Sequence, residues 1–233
     1  AIYLDKNTLM KLLDEEDLLN AAALDDDPAD SGDGDYLKAN VISWTASWSV
    51  KGPRANIEFT ADYRTSLAQE AQLEQELAAS LAALDMDNAT EFKKVKAIHD
   101  YIIGLASYDQ TLTRYSAYDL FEDKAAVCLG YAAAAYRMFT DAGIESRIIA
   151  GYADFQEHVW NIVKVEGNWY NIDLTWDDPI LPDGGNAVSY DFFLKNEEDF
   201  KDHVRAAEYS TQEFLKSYKL ADTSFTAESF IDN

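Results

Sequence analysis

Residues 127–143 read VCLGYAAAAYRMFTDAG, and residues 157–176 read EHVWNIVKVEGNWYNIDLTW. The first stretch is a run of strong helix formers that stops at Ala142-Gly143, so Cys128 stands at a helix N-terminus. There the free N–H groups and the positive end of the helix dipole favour thiolate over thiol, one physical route to an activated nucleophile. Free cysteine is also among the most buried residue types, and this segment alone equally fits a small core residue.

The second stretch alternates apolar and polar residues on both sides of Glu166-Gly167-Asn168, a turn signal, and so predicts two strands joined as a hairpin. A turn centred near residues 166 and 167 sets His158 opposite positions around 174 or 175, which leaves Asp173 within side-chain reach. An imidazole oriented by a carboxylate is what a thiol needs as its base: the carboxylate fixes the tautomer and stabilises the imidazolium that pairs with thiolate. Singly, a strand histidine is more often a hydrogen-bonded surface residue and a strand-end aspartate more often caps a turn. Together, Cys128, His158 and Asp173 supply nucleophile, base and orienter in one chain order.

Upstream lie KVKAIHDYIIGLASYD, from Lys94, and SAYDLFEDKAAVC, ending at Cys128. With these, the chain over about residues 90–205 resembles the transglutaminase-like superfamily of bacterial proteins. The resemblance implies an α+β, papain-like fold in which a central helix bearing the nucleophile packs on an antiparallel sheet bearing the base and its carboxylate. It implies Cys128 as nucleophile, His158 as general base and acid, Asp173 as orienter, and attack of thiolate on a carboxamide or peptide carbonyl. The thioester then goes to an amine, as in a transglutaminase, or to water, as in a protease, amidase or deamidase; the alternative from another class is a binding module that keeps the fold without turnover. Papain's branch places an oxyanion-binding glutamine six residues before its cysteine. Here that position is Glu122, whose charge opposes an oxyanion and argues against a papain-type protease. The Cys128 N–H and Tyr108, in the turn Ser107-Tyr108-Asp109, are the candidate oxyanion donors, with Trp160 and Trp176 as candidate walls of the cleft. Animal transglutaminases use an upstream tryptophan and calcium sites in added regions. No Trp lies between residues 49 and 159, so calcium-switched activity of that type is not implied, and neither a cofactor nor a metal site is expected.

Around this centre the 233-residue chain is 48% hydrophobic and 13% aromatic, enough for a substantial core. Nineteen basic against 43 acidic residues give a net charge of −24, which repels nucleic acid and anionic membrane. We read that charge as a solubility feature rather than a substrate code. No apolar run reaches the length of a membrane span. Cys128 is the single cysteine, which excludes an intramolecular disulfide and a multi-cysteine zinc site. The chain opens at Ala1 without Met or an apolar leader, and the expectation is a processed, exported protein acting on protein or peptide substrates outside the cell or at its surface.

Leu9, Leu12, Leu13 and Leu19 predict a helix over residues 5–24, and Asp25–Asp35, rich in Asp with Pro28, Gly32 and Gly34, an exposed acidic loop that fails the EF-hand spacing. Val41–Val50 and Ala55–Tyr63 predict a hairpin, Thr65 or Ser66 a helix cap, and Asn88-Ala89-Thr90-Glu91 a further helix start. The chain is divided near residue 88 into an N-terminal extension, 1–88, and a catalytic domain, 89–233. His99 lies on the apolar face of its helix and predicts a hydrogen-bonded core histidine, since His99-Asp100 lacks the further histidines of a metal phosphohydrolase. His203, after the charged run Glu197–Asp202, is expected on the surface of a late helix. No serine-hydrolase elbow, P-loop, dinucleotide fingerprint or HExxH motif occurs.

Overall fold

The computed structural model describes residues 30–51, 54–180 and 187–225. The helix expected over 5–24 lies outside these residues. The described chain opens with α1 (Gly34–Asn40) and an antiparallel hairpin of β1 (Val41–Lys51) and β2 (Arg54–Tyr63). Ser66 then starts α2 (Leu67–Ala83): its hydroxyl accepts the Gln69 N–H while the Gln69 side chain accepts the Ser66 N–H, so two orphan amides are satisfied reciprocally. Thr90 caps α3 (Glu91–Leu105) by a single bond, its hydroxyl accepting the Lys93 N–H.

Next come β3 (Ser107–Tyr108), α4 (Ala117–Asp123), β4 (Ala125–Ala126) and α5 (Cys128–Asp141). The short strands β3 and β4 pair in parallel. The main sheet is formed by β5 (Ser146–Ala153), β6 (Gln156–Val165), β7 (Asn168–Ile172) and β8 (His203–Arg205) in the order β7-β6-β5-β8, every pair antiparallel. A six-residue helix, α6 (Gln212–Ser217), follows.

Alternation along the strands divides their side chains between two cores. Ile148, Val163 and Val165 join Tyr131, Ala134, Ala135 and Met138 of α5, together with Tyr36, Leu73, Leu77, Ile102 and Leu120, in the larger one. Ile149, Trp160 and Ile162 face the other way and are covered by Phe200, Tyr209 and Phe214. Buried Asn161 ties helix to sheet by donating its Nδ2–H to the Ala132 carbonyl at 3.0 Å. This is the expected α+β arrangement, with the cysteine at the N-terminus of a helix laid on an antiparallel sheet.

The acidic loop expected at 25–35 is corrected where it is described. Asp35 belongs to α1 and is 2% exposed. Its carboxylate takes Arg147 Nε at 2.6 Å, Arg147 Nη2 at 2.9 Å and the Ile148 N–H at 2.8 Å. A bidentate guanidinium from β5 makes burial of this carboxylate tolerable, and local sequence carries no trace of so distant a partner. Among the described residues, no helix is long and apolar enough to cross a membrane.

Candidate active site

As the first residue of α5, Cys128 has an N–H outside the intrahelical ladder. The approach to it is fixed by backbone bonds: the Val127 N–H donates to the Arg114 carbonyl, and the Asp109 N–H to the Ala126 carbonyl, both at 2.9 Å. Asp109 organises the intervening loop by accepting from the Thr111, Thr113 and Arg114 amides and the Thr111 hydroxyl, bonds that hold its carboxyl well below the usual range. Strand β3 thereby places Tyr108 beside β4, and Tyr108 and Cys128 line one cleft of about 600 Å³ with Val127, Gly151 and His158. Burial, then the proximity of Cys128, pushes the Tyr108 phenol up, so it stays an O–H donor. Glu122 is on the exposed side of α4, where it accepts a hydrogen bond from Gln72 at 2.7 Å, and does not line this cleft.

His158 and Asp173 meet as the hairpin register requires. Asn161 opposes Ile172 and Val165 opposes Asn168. Continuing that register sets His158 opposite Thr175, with Asp173 just past the end of β7. His158 donates Nε2–H to Asp173 Oδ2 at 2.6 Å, which leaves Nδ1 to serve Cys128, a residue lining the same cleft. Asp173 also caps the turn after β7, for its Oδ1 accepts the Thr175 and Trp176 amides at 2.9 and 3.2 Å. One oxygen of Asp173 thus serves the turn and the other the imidazole of His158. Burial alone would lower the His158 imidazole; the hydrogen bonds and charges of Asp173 and Cys128 outweigh it and raise His158 to about 10. Against its own burial, Asp173 is held low by His158 and His203.

His203 was missed. It lies on β8 rather than on a surface helix, is 7% exposed, and donates Nε2–H to the same Asp173 Oδ2 at 2.9 Å. Phe200 stacks on its ring at 3.9 Å, and Trp176 and Trp160 pack at 4.6 and 5.1 Å. A three-residue strand is too short to show alternation, and the charged run before it imitates a solvated face. Trp160 is corrected with it: only 1% exposed, it lies beneath the two imidazoles, with Phe200 covering it, rather than along the cleft. Trp176 is half-buried and does line the cleft with Cys128 and His158. His99 is the core histidine expected, bonded to Asp100 at 3.0 Å and Asp177 at 3.1 Å. Among the described residues, His158, Asp173 and His203 have the spacing of a metal-ligand set. Each imidazole Nε2 lies within hydrogen-bond distance of Asp173 Oδ2, at 2.6 and 2.9 Å.

Gly151 makes this assembly possible. It opposes His158 across β5–β6 and Arg205 across β5–β8. A Cβ there would lie 2.2 Å from the Val204 carbonyl oxygen and 2.9 Å from both Arg205 Cα and Trp160 Cη2. Gly151→Ala should cost about 3 kcal/mol by overpacking, mainly by lifting β8 off the sheet. Urea melts would measure it, and a variant as stable as the parent would mean that β8 does not dock this closely.

The shifts also fix a pH window. The fold keeps a proton on His158 that the unfolded chain, with an imidazole near pKa 6.5, releases. That contribution is complete below about 6.5 and is lost as pH rises through about 10. Asp173 contributes above its ordinary value near 3.9 and loses it as pH falls. Tm should decline on the alkaline side from neutrality, with a slope that flattens in His158→Ala. An unchanged slope in the variant would remove His158 as its source.

Fold and site define a thiol–imidazole–carboxylate centre carried on a helix and an antiparallel sheet. Residues 75–174 match the family model described as the transglutaminase-like superfamily. Among curated proteins it is similar to Kyphoscoliosis peptidase of Homo sapiens, 27% identical over 133 residues, which are 49% of this chain and 20% of that protein. The Mus musculus protein of the same name is 26% identical over 132 residues, with the same shares. The chain thus spans about a fifth of the length of these relatives. A solved structure described as "Crystal structure of a TGase" aligns with 75% of this chain and 49% of its own at 18% identity and a TM-score of 0.43.

Proposed function

We propose that the protein is a cysteine-dependent acyl-transfer enzyme acting on carboxamide or peptide bonds of proteins or peptides. The observation that carries the reading is the 2.6 Å bond from His158 to Asp173 in a cleft that the same imidazole lines with Cys128. In this reading the Cys128 thiolate attacks the carbonyl carbon, and the oxyanion that forms meets the Cys128 N–H and the Tyr108 O–H. His158, as imidazolium, passes its proton to the departing nitrogen as the C–N bond breaks, leaving a thioester on Cys128. An amine or water then attacks the thioester while His158 takes the proton, and the thiolate leaves. Asp173 holds the ring throughout and stabilises its cationic form.

Hydrolysis is supported by the peptidase name of the mammalian relatives, and amine transfer by the description of the family model. A primary-amine probe separates them. Incubation with a glutamine-bearing protein and a fluorescent cadaverine should give covalent incorporation if amine is the acceptor, and released ammonia or new peptide termini if water is. Neither product, with Cys128→Ala identical to the parent, would leave the fold as a binding module.

A further inference from the structure

Asp173 Oδ2 receives two N–H donors, one from each imidazole of the site. The second has no structural need to be a histidine. Its Nδ1 is buried without a hydrogen-bond partner among the described residues, and its ring is held by stacking on Phe200 and by contacts with Trp160, Trp176 and Phe192, which a phenylalanine would satisfy. The polar atom that matters is Nε2, and its partner is the oxygen that orients His158.

We propose that His203 is a positioning residue of the acyl-transfer site: by sharing Asp173 Oδ2 it draws off part of the carboxylate's hydrogen-bonding capacity and so tempers how strongly Asp173 holds His158 in the protonated form. A carboxylate oxygen accepting two strong donors offers less to each than it would offer to one. An orienting carboxylate bound to His158 alone would keep the proton on the ring too firmly for the ring to return it to a leaving nitrogen. The inference rests on the acyl-transfer reading only for its purpose, since the sharing itself is a property of the folded chain.

Other titratable groups surround the pair. Cys128 and Tyr131 come from α5, Tyr108 from β3 and Glu157 from β6. Asp177 and Asp178 follow β7, and Arg205 lies on β8 with Glu197 near it. Asp178 is engaged by the Tyr131 hydroxyl at 2.6 Å, Asp177 by His99, and Arg205 Nη2 by Asn171 at 3.2 Å. None of these contacts involves the Nε2 of His203, so a change confined to it alters Asp173 first.

The test is a titration of the imidazoles by nitrogen-15 NMR on the whole chain, in which three histidines give three assignable rings. In the parent, His203 should show the Nε2–H tautomer; an Nδ1–H tautomer overturns the proposal before any substitution is made. His203→Phe keeps the stacking and removes the donor, and it should shift the His158 titration upward by about one pH unit, the scale of one charge-assisted hydrogen bond redistributed. His203→Gln restores an N–H at the same reach and should return the midpoint to within a few tenths of the parent. A midpoint unmoved in His203→Phe, moved downward, or moved equally in both variants would show a merely structural residue. If His203→Phe does not fold, His203→Leu, which also lacks the donor, takes its place beside His203→Gln, with the same upward shift expected and an unmoved midpoint overturning the proposal. These readings do not depend on turnover. Inactivity alongside the predicted shift would sink the acyl-transfer reading alone, and activity without the shift would sink this inference alone.

Discussion

Replacing His158 by alanine should slow iodoacetamide labelling of Cys128 at pH 6 by about two orders of magnitude, because an ordinary thiol, with a reference pKa near 8.5, is less than 1% ionised there. In the parent, His158 is raised to about 10 by Asp173 and Cys128 against its burial, so imidazolium is available to pair with thiolate across the neutral range. Labelling of the parent should therefore stay well above that of the variant between pH 6 and 8, a range over which labelling of the variant should climb nearly tenfold per pH unit, in proportion to thiolate. Turnover, by whichever acceptor, should fall by about 10³-fold with the loss of the acid–base group. Both proteins labelling alike, or no labelling before unfolding, would mean that the thiol is not primed by this ring. The acyl-transfer reading would fall with it.

Asp35→Ala should be the most destabilising single change far from the site, at about 3–5 kcal/mol. It strips a buried guanidinium of its bidentate carboxylate partner. For a chain of this size the loss corresponds to a Tm lower by about 10 °C. Pairing it with Arg147→Met should recover part of the loss, since no unpaired charge then remains buried. Additive costs in the double variant would show that the two side chains do not depend on one another.

What the sequence reveals follows from how local each signal is. Ser66, Thr90 and the Ala142-Gly143 stop mark helix ends within three or four residues of the groups they satisfy, and all three agree with the structure. The meeting of His158 with Asp173 is legible because a tight turn fixes the register of a hairpin, and with it every pair along the two strands. Asp35 and His203 are not legible, and for one reason. Asp35 answers to Arg147, 112 residues away, and His203 to Asp173, 30 residues away, while each stands in an acidic stretch that reads as solvated surface. Trp160 shows the converse. Its placement on a strand follows from alternation, but whether its face opens on a cleft or on a core depends on Phe200 and β8, which pack over it from later in the chain.

The salt bridge between Asp35 and Arg147 also bears on how the protein can be cut. Residues 75–174, the part that family comparison recognises, hold Cys128, His158 and Asp173, yet exclude Asp35, Tyr36 and the whole of β8. Excised at those bounds, the fragment would carry Arg147 without the Asp35 carboxylate, Trp160 stripped of Phe200, and β5 with an open edge where β8 had paired. The recognisable unit is thus smaller than the folding unit. A graft of this domain into another protein must take its flanks, from α1 at one end through α6 at the other, to arrive as a folded body.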